Sequence, residues 1–445
     1  LFRSKQWLGG VCLNVGCIPS KSLLKNAEVA HTLRERGKDF GFSFENLKLD
    51  YGVAAKRSRQ VSDRLVKGVG FLMRKNNIAV FMGEARLTKP TTVSVKDKDG
   101  TPAPGAGAGE TTELTAKNVI VATGASAAVP GAWKVDGEKV VTYLEAILQE
   151  KLPKSAIVIG SGAIGVEFST VWNSYGVDVT VVEMLPRLIP LEDEEVSKEL
   201  KKEFEKRGIK CLVGNKVESV EATAKGVKVK VSAEGKETTL EAEQALVAIG
   251  FRPNSKGLGL EEVGVKINER GFVEINEKMQ TSVPNIYAIG DVTGKLMLAH
   301  VGSAMGIVAA ENIAGAETVT LDYEMMPRAT YSQPQVASFG LTEAQAKERG
   351  YNIKVGRFPF QPNGKALGLG DYAGFVKIVV DEKYGEILGA HMIGPEVTEL
   401  LPELTLAHMM ELTPHEIARN VHAHPTLSEV LMEAAHAADG TPIHM

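Results

Sequence analysis

Ala156-Ile157-Val158-Ile159-Gly160-Ser161-Gly162-Ala163-Ile164-Gly165, running on to Val177-Asp178-Val179-Thr180-Val181-Val182-Glu183, decides the fold. The run before Gly160 is short and apolar, as a buried strand is. The glycines then open a helical stretch, and 177–183 reads as a second strand. Strand, glycine turn, helix and strand within about 30 residues form a dinucleotide-binding βαβ unit. A glycine pattern alone is weak evidence; the flanking strands and the acid closing the second one make it strong. A carboxylate at Glu183 can accept a ribose 2′-OH and repels a 2′-phosphate, which favours NAD over NADP. Arg187, nearby, reads as a solvated surface charge.

Working outward, two further apolar runs end in glycine: Asn118-Val119-Ile120-Val121-Ala122-Thr123-Gly124 and Ala245-Leu246-Val247-Ala248-Ile249-Gly250. Pro130 and Pro253 follow them and discourage the strands from continuing. A third run, Asn285-Ile286-Tyr287-Ala288-Ile289-Gly290-Asp291, ends in Gly-Asp. The chain therefore returns to its nucleotide-binding layers more than once. Residues 227–231 alternate Val with Lys, as a half-exposed strand should. Thr101-Pro102-Ala103-Pro104-Gly105-Ala106-Gly107-Ala108-Gly109 has no packing surface and reads as a surface hairpin loop. From about Pro327 the texture changes, with strands expected over 374–380 and 386–393. A helix over 396–411 would place Val397, Leu400, Leu401 and Leu404 on one face.

The 445 residues suggest roughly three domains. A net charge of −4 gives no electrostatic footprint for nucleic acid or an acidic membrane. No apolar run approaches the length of a membrane span. Three cysteines cannot build a disulfide framework and fit a reducing, cytosolic setting. The start, Leu1-Phe2-Arg3-Ser4-Lys5, has no apolar h-region and is not a signal peptide.

Cys12-Leu13-Asn14-Val15-Gly16-Cys17 places two thiols five positions apart, and Ile18-Pro19-Ser20-Lys21 leads into a helical stretch. Proline is favourable near a helix start. Cys17 would then sit at the positive end of the helix dipole, where a thiolate is stabilised. Four intervening residues with a glycine can close a small disulfide loop. Two buried thiols, or half of a metal site, fit the same spacing. Cys211, within an apolar run, reads as a small buried side chain without chemistry.

Context separates these readings. The segment 9–21 resembles the redox-active signature of the pyridine nucleotide-disulfide oxidoreductases, class I. Its wording is most similar to the branch that oxidises dihydrolipoamide. Ala122-Thr123-Gly124 and Gly290-Asp291 resemble the family's FAD-contact motifs, and Met297-Leu298-Ala299-His300 its flavin-side helix start. His422-Ala423-His424-Pro425-Thr426-Leu427-Ser428-Glu429 resembles its C-terminal acid-base motif. The likeness covers nearly the whole chain, and five ordered motifs are hard to obtain by chance.

By that resemblance Cys12 is the interchange thiol that attacks the lipoyl disulfide, and Cys17 the thiolate against the flavin. The Cys12–Cys17 disulfide is the redox-active centre. Lys21 is implied near the flavin, paired with Glu167; either charge buried alone would be costly. His424 is the implied base, oriented by Glu429, since an imidazole exchanges protons in the neutral range and a carboxylate stabilises its cation. His422 is given no role. FAD contacts are further implied at Gly83, Thr123, Gly124, Ala125, Asp291, Met297, Leu298, Ala299 and His300. At His300 the backbone matters more than the ring. NAD contacts are implied at Gly160, Gly162, Ala163, Ile164, Gly165, Glu167, Glu183, Val217 and Gly250.

The implied fold is α/β: two Rossmann-like dinucleotide-binding domains and a C-terminal α+β dimerisation domain. The expected divisions are 1–152 and 280–326 for FAD, 153–279 for NAD, and 327–445 for the interface. The family's first FAD βαβ unit is largely absent here, since only eleven residues precede Cys12 and the acid for the FAD ribose would fall near Ser4. The chain is therefore expected to be a piece of a longer gene product. The implied activity is NAD-linked oxidation of dihydrolipoamide by a cytoplasmic homodimer. Its implied partners are the lipoyl domains and acyltransferase core of a 2-oxo acid dehydrogenase or glycine cleavage complex. Mercuric and glutathione reductases are the neighbouring alternatives. The first would be expected to carry an extra C-terminal Cys pair, and the second a basic NADP pocket in place of Glu183. A flavin-free docking subunit is the alternative from outside the enzymes.

Overall fold

The computed structural model describes residues 8–96 and 111–444. Ser4 and residues 101–109, read above as a hairpin loop, lie outside the described residues. Two compact units share the chain. One takes Leu1–Pro19, Arg57–Ala128 and Gly250–Tyr323; the other takes Ser20–Lys56, Val129–Ile249 and Glu324–Met445.

The second unit holds the deciding βαβ segment. Ser155–Ile159 and Asp178–Glu183 lie at the heart of a parallel sheet, flanked by Lys210–Val213 on one side and by Gln244–Val247 and Val140–Val141 on the other. Ala156, Ile157, Val158 and Ile159 are all buried, as a strand covered on both faces requires. The helix Ala163–Ser174 follows directly from Gly162. A three-stranded antiparallel sheet, Lys216–Thr223, Gly226–Ala233 and Lys236–Ala242, packs against this layer. Val227, Val229 and Val231 meet Ile157, Ile159 and Val247 in one core, while Lys228 and Lys230 point to solvent. The Val–Lys alternation has the cause expected of it.

The C-terminal part of this unit is a five-stranded antiparallel sheet in the order Arg328–Thr330, Gln335–Gly340, Ile387–Gly394, Phe375–Asp381, Ile353–Pro359. Two of its three inner strands, Ile387–Gly394 and Phe375–Asp381, are buried at every position. The helices Val397–Met409 and Glu429–Ala438 supply Val397, Leu401, Leu404, Val430, Leu431 and Ala434 to the same core, with Leu400 at its edge. The first of these helices is shorter at both ends than the expected 396–411. Glu396 and Glu411 have left-handed backbone angles (φ 51° and 56°), which a helix cannot contain.

In the first unit, Val119–Val121 and Ile286–Ala288 form a parallel pair. Thr123-Gly124 and Gly290-Asp291 therefore emerge from the same edge. The 245–250 run takes a different place, contributing its strand to the other unit's parallel sheet. After Gly250 the chain re-enters a short strand, Phe251–Pro253, paired antiparallel with Ala125–Ala127. Pro253 closes that strand at an edge, where a missing N–H is tolerated. A hairpin sheet, Glu84–Lys89, Thr92–Lys96 and Thr111–Thr115, completes the unit with the helices Gly10–Val15 and Ala299–Ala314. Among the described residues no helix is long and apolar enough to cross a membrane.

Candidate active site

The two cysteines sit on consecutive helices. Cys12 lies within Gly10–Val15, Gly16 interrupts the chain, and Cys17 is the first residue of Cys17–Glu35. Cys17 thus occupies the turn where unsatisfied N–H groups favour negative charge. The short segment between them is firmly held. Asn14, 4% exposed, donates from Nδ2 to the Leu8 and Gly10 carbonyls, both at 2.9 Å. Arg59, from the helix Tyr51–Lys75, donates to the Asn14 carbonyl at 2.5 Å and to Ser62 Oγ at 3.0 Å. Burial pushes the Arg59 guanidinium below its usual range, with nearby Asp63 opposing. Sequence reading missed Arg59, because nothing local links positions 14 and 59.

One helical turn beyond Cys17, Lys21 Nζ lies 3.0 and 3.1 Å from the two oxygens of Glu167. Glu167 is 7% exposed and also accepts the Tyr331 N–H at 2.9 Å. The Lys21 ammonium stands 4.4 Å from the centre of the Tyr331 ring. A buried carboxylate is thereby matched by one cation and one backbone donor. Tyr331 is another residue without a sequence signal.

The turn expected to cradle a dinucleotide is shaped by three glycines. Gly160 has φ +97°, and a Cβ there would strike the Ala248 carbonyl; a Cβ on Gly165 would strike the carbonyl of Gly160. Around Gly162, the residue capping the helix, the space is open. Backbone can thus approach a pyrophosphate at a helix start, with Ala163 and Ile164 in its first turn. Glu183 is 8% exposed and pre-set by three donors. Its Oε2 accepts the Ser161 N–H and hydroxyl, both at 2.9 Å, and its Oε1 accepts the Leu185 N–H at 2.8 Å. A carboxylate has about four acceptor positions, so one stays open to a ribose hydroxyl. Arg187 gives a hydrogen to the Pro190 carbonyl at 3.3 Å. Val217 packs at the edge of the sheet core beside a bulge, and Gly250 belongs to the other compact unit.

Apart from Lys21, the residues expected against FAD lie in that other unit. Thr123 Oγ1 donates to the Asn254 carbonyl at 2.7 Å, and Asn254 answers through Nδ2 to the Thr123 carbonyl at 3.0 Å and through its N–H to the Gly124 carbonyl at 2.9 Å. The Thr123 hydroxyl is therefore engaged within the protein. Ala125 begins the next short strand, and Gly83 (φ +157°) lies where a Cβ would strike the Lys96 carbonyl. Asp291 sits in the short turn Gly290–Thr293, its carboxyl raised by burial. Met297 and Leu298 lead to the helix Ala299–Ala314, whose start has no side-chain cap although His300 lies in its first turn. A half-buried acid raised by its surroundings and a helix start without a side-chain cap both fit a flavin cofactor.

His424 and Glu429 form a pair. The imidazole Nδ1 lies 2.9 Å from Glu429 Oε1, while Oε2 accepts the Thr426 N–H at 2.8 Å. The peptide between His424 and Pro425 is cis. Burial pushes the Glu429 carboxyl up, but the Thr426 N–H, the His424 ring and the charges of His424 and His422 together hold it below the usual range. The pair fixes one ring nitrogen and leaves the other for chemistry, on a side chain 78% exposed. Cys211, on the strand Lys210–Val213, is only partly covered; burial nevertheless pushes its thiol up to about 12, which makes it a poor nucleophile. Among the described residues no cluster of His, Cys, Asp and Glu could hold a metal.

Comparisons with known proteins show the family of the chain. The pyridine nucleotide-disulphide oxidoreductase model matches residues 4–306, and the dimerisation domain of the same family matches 326–435. A dihydrolipoyl dehydrogenase from Mycobacterium leprae is 54% identical over 99% of this chain and 92% of that protein. The protein of that name from Corynebacterium glutamicum is 51% identical, again over 99% and 92%. The Bacillus subtilis one is 43% identical over 99% and 93%. Among solved structures, LpdA from Mycobacterium tuberculosis superposes with a TM-score of 0.88 at 27% identity, covering 97% of this chain and 92% of that one.

Proposed function

This chain belongs to the pyridine nucleotide-disulphide oxidoreductase family, and from that premise we propose that it oxidises protein-bound dihydrolipoamide to lipoamide and reduces NAD⁺ to NADH. It is an FAD- and NAD-dependent disulfide oxidoreductase. The observation that carries the substrate reading is the Cys12/Cys17 pair, with Cys17 opening a helix and Lys21–Glu167 one turn on.

FAD and NAD, when bound, supply the two-electron chemistry. The protein's part is thiol exchange and proton management. In the oxidised enzyme a thiolate of dihydrolipoamide attacks the Cys12 sulfur, the Cys12–Cys17 bond breaks, and Cys17 leaves as a thiolate. The second substrate thiol then attacks the mixed disulfide, closing lipoamide and releasing Cys12. His424, held by Glu429, takes a proton from the substrate dithiol. Leaving at a helix start favours Cys17, because the thiolate is the better-stabilised form there. Gly290, Asp291 and the start of Ala299–Ala314 would hold FAD. The 160–165 turn with Glu183 would hold NAD and disfavour its 2′-phosphate relative.

The same reading assigns 153–279 to NAD, 1–152 with 280–326 to FAD, and 327–445 to a homodimer interface. It places the enzyme in the cytoplasm, serving lipoyl domains on the acyltransferase core of a 2-oxo acid dehydrogenase or glycine cleavage complex. The test is direct. The purified protein should show a flavin absorbance spectrum, bleach anaerobically with dihydrolipoamide, and recover its colour with NAD⁺. A colourless protein, or one bleached only by NADPH, would remove the reading.

A further inference from the structure

Both ring nitrogens of His422 face acceptors. Nδ1 lies 3.0 Å from the Asn420 carbonyl oxygen, and Nε2 lies 2.9 Å from Glu403 Oε1. Neither a carbonyl nor an ionised carboxylate has a proton to give, so both nitrogens must donate. A neutral imidazole has only one N–H, so satisfying both acceptors takes the imidazolium. The side chain is 4% exposed, where an unmatched charge would be costly, and Glu403 supplies the match.

Three elements bear on this ring. Glu403 comes from the helix Val397–Met409, the Asn420 carbonyl from the ring's own loop, and Glu429 from the start of the last helix. The Glu403 hydrogen bond, helped by its charge, by Asn420 and by Glu429, raises the ring's pKa against the opposing effect of burial. Glu403 is lowered in turn, first by its bond from His422, and it also accepts Asn420 Nδ2 at 3.3 Å. Two residues further on stands His424, on a stretch without helix or strand between Pro414–Arg419 and Glu429–Ala438. Past His424 that stretch is held by Asn363 Nδ2 on the Thr426 carbonyl at 3.0 Å and by Glu429. Before it, two described ties reach a neighbouring helix, both on Glu403: the ion pair of His422 and the bond from Asn420 Nδ2.

We propose that His422 is a positioning residue for the acid-base pair: a fixed imidazolium that anchors the loop presenting His424 to Glu403. The proposal rests on His424 being the base, and its tests separate the two claims. In holoenzyme labelled with ¹⁵N-histidine, with His422 assigned through its loss in His422→Gln, both ring nitrogens should be protonated at neutral pH. A neutral tautomer there would overturn the proposal.

His422→Gln should slow dithiol oxidation on the order of ten- to a hundredfold, the cost of a misplaced catalytic group. Flavin reduction by NADH is the reference reaction. Glu403→Gln keeps an acceptor but removes the charge. A raised pKa means that the tie is complete at low pH and lost as pH rises through the ring's folded-state value. Without Glu403's charge that value falls, so the variant's deficit should grow between about pH 6 and about pH 8. A deficit constant with pH would mean packing alone and refute the charged anchor, as would unchanged turnover in both variants. Full dithiol turnover in His424→Ala would overturn the base, and the positioning role with it, while the ring's charge would still be read by NMR.

Discussion

Cys12 and Cys17 lie on different helices because Gly16 breaks the chain between them, and only Cys17 gains the helix start. Replacing either thiol by Ser removes one partner of the exchange. Cys12→Ser and Cys17→Ser should each bring NAD-linked dihydrolipoamide oxidation to background, while NADH still reduces an artificial acceptor through the flavin. Steady-state assays decide it; near-normal lipoamide turnover in Cys12→Ser would show that the interchange assignment is wrong. These thiols were legible because their signal is local: two residue types, a spacing and a helix start. The same holds for Glu183 at a strand's end and for His424 within its motif. Arg59, Tyr331, Asn254 and Lys377 were not legible. Each acts on a partner far away in sequence, and a lone Arg, Tyr, Asn or Lys carries no pattern that names its partner.

At the level of elements, strands and helices followed their hydrophobic period, and the ends were set by backbone geometry that the period does not encode, as at Glu396 and Glu411. The proposed NAD cradle joins the end of one strand to the end of the next: Ser161, in the glycine turn, gives both its hydrogens to Glu183. A hydrogen bond to a charged group contributes about 1.5–3 kcal/mol, so Glu183→Ala should narrow the NADH-over-NADPH preference by about ten- to a hundredfold. Equal kcat/KM for both cofactors in the unmutated enzyme would sink the NAD reading. Lys377 makes a second joint. Its side chain is 1% exposed, with Nζ 2.9 Å from Asp193, 2.7 Å from Glu195 and 2.6 Å from Glu343. Asp193 also caps the helix Glu194–Lys206, which tucks the nucleotide layer against the C-terminal sheet. Burial lowers the Lys377 pKa, but the bonds from Glu195, Glu343 and Asp193 outweigh it and hold the ammonium charged. Lys377→Met leaves Asp193 buried and unpaired, and should cost about 3–5 kcal/mol in denaturant unfolding. A loss below about 1 kcal/mol, the range of an exposed pair, would show that solvent already screens the cluster.

Across the whole chain, Cys12 lies near the start and His424 near the end, in compact units that interleave along the sequence. The His424 side chain is 78% exposed within its own chain, as a group serving a second copy would be. The residues that match the family's dimerisation domain, 326–435, include His424 and Glu429. If each site of the proposed homodimer takes its thiols from one subunit and His424 from the other, two inactive variants can complement. His424→Ala should slow dithiol oxidation by about 10²–10⁴, the range for a lost acid-base catalyst, and spare flavin reduction by NADH. Cys12→Ser is inactive for a different reason. In a mixed dimer both lesions fall in one site, and the other combines an intact Cys12 with an intact His424. Statistical exchange of equal amounts makes half the dimers mixed, so about a quarter of wild-type activity should return. Subunit exchange is verified by mass under native conditions, then lipoamide turnover is measured. Activity that stays at the level of the separate variants would place thiols and imidazole on the same subunit.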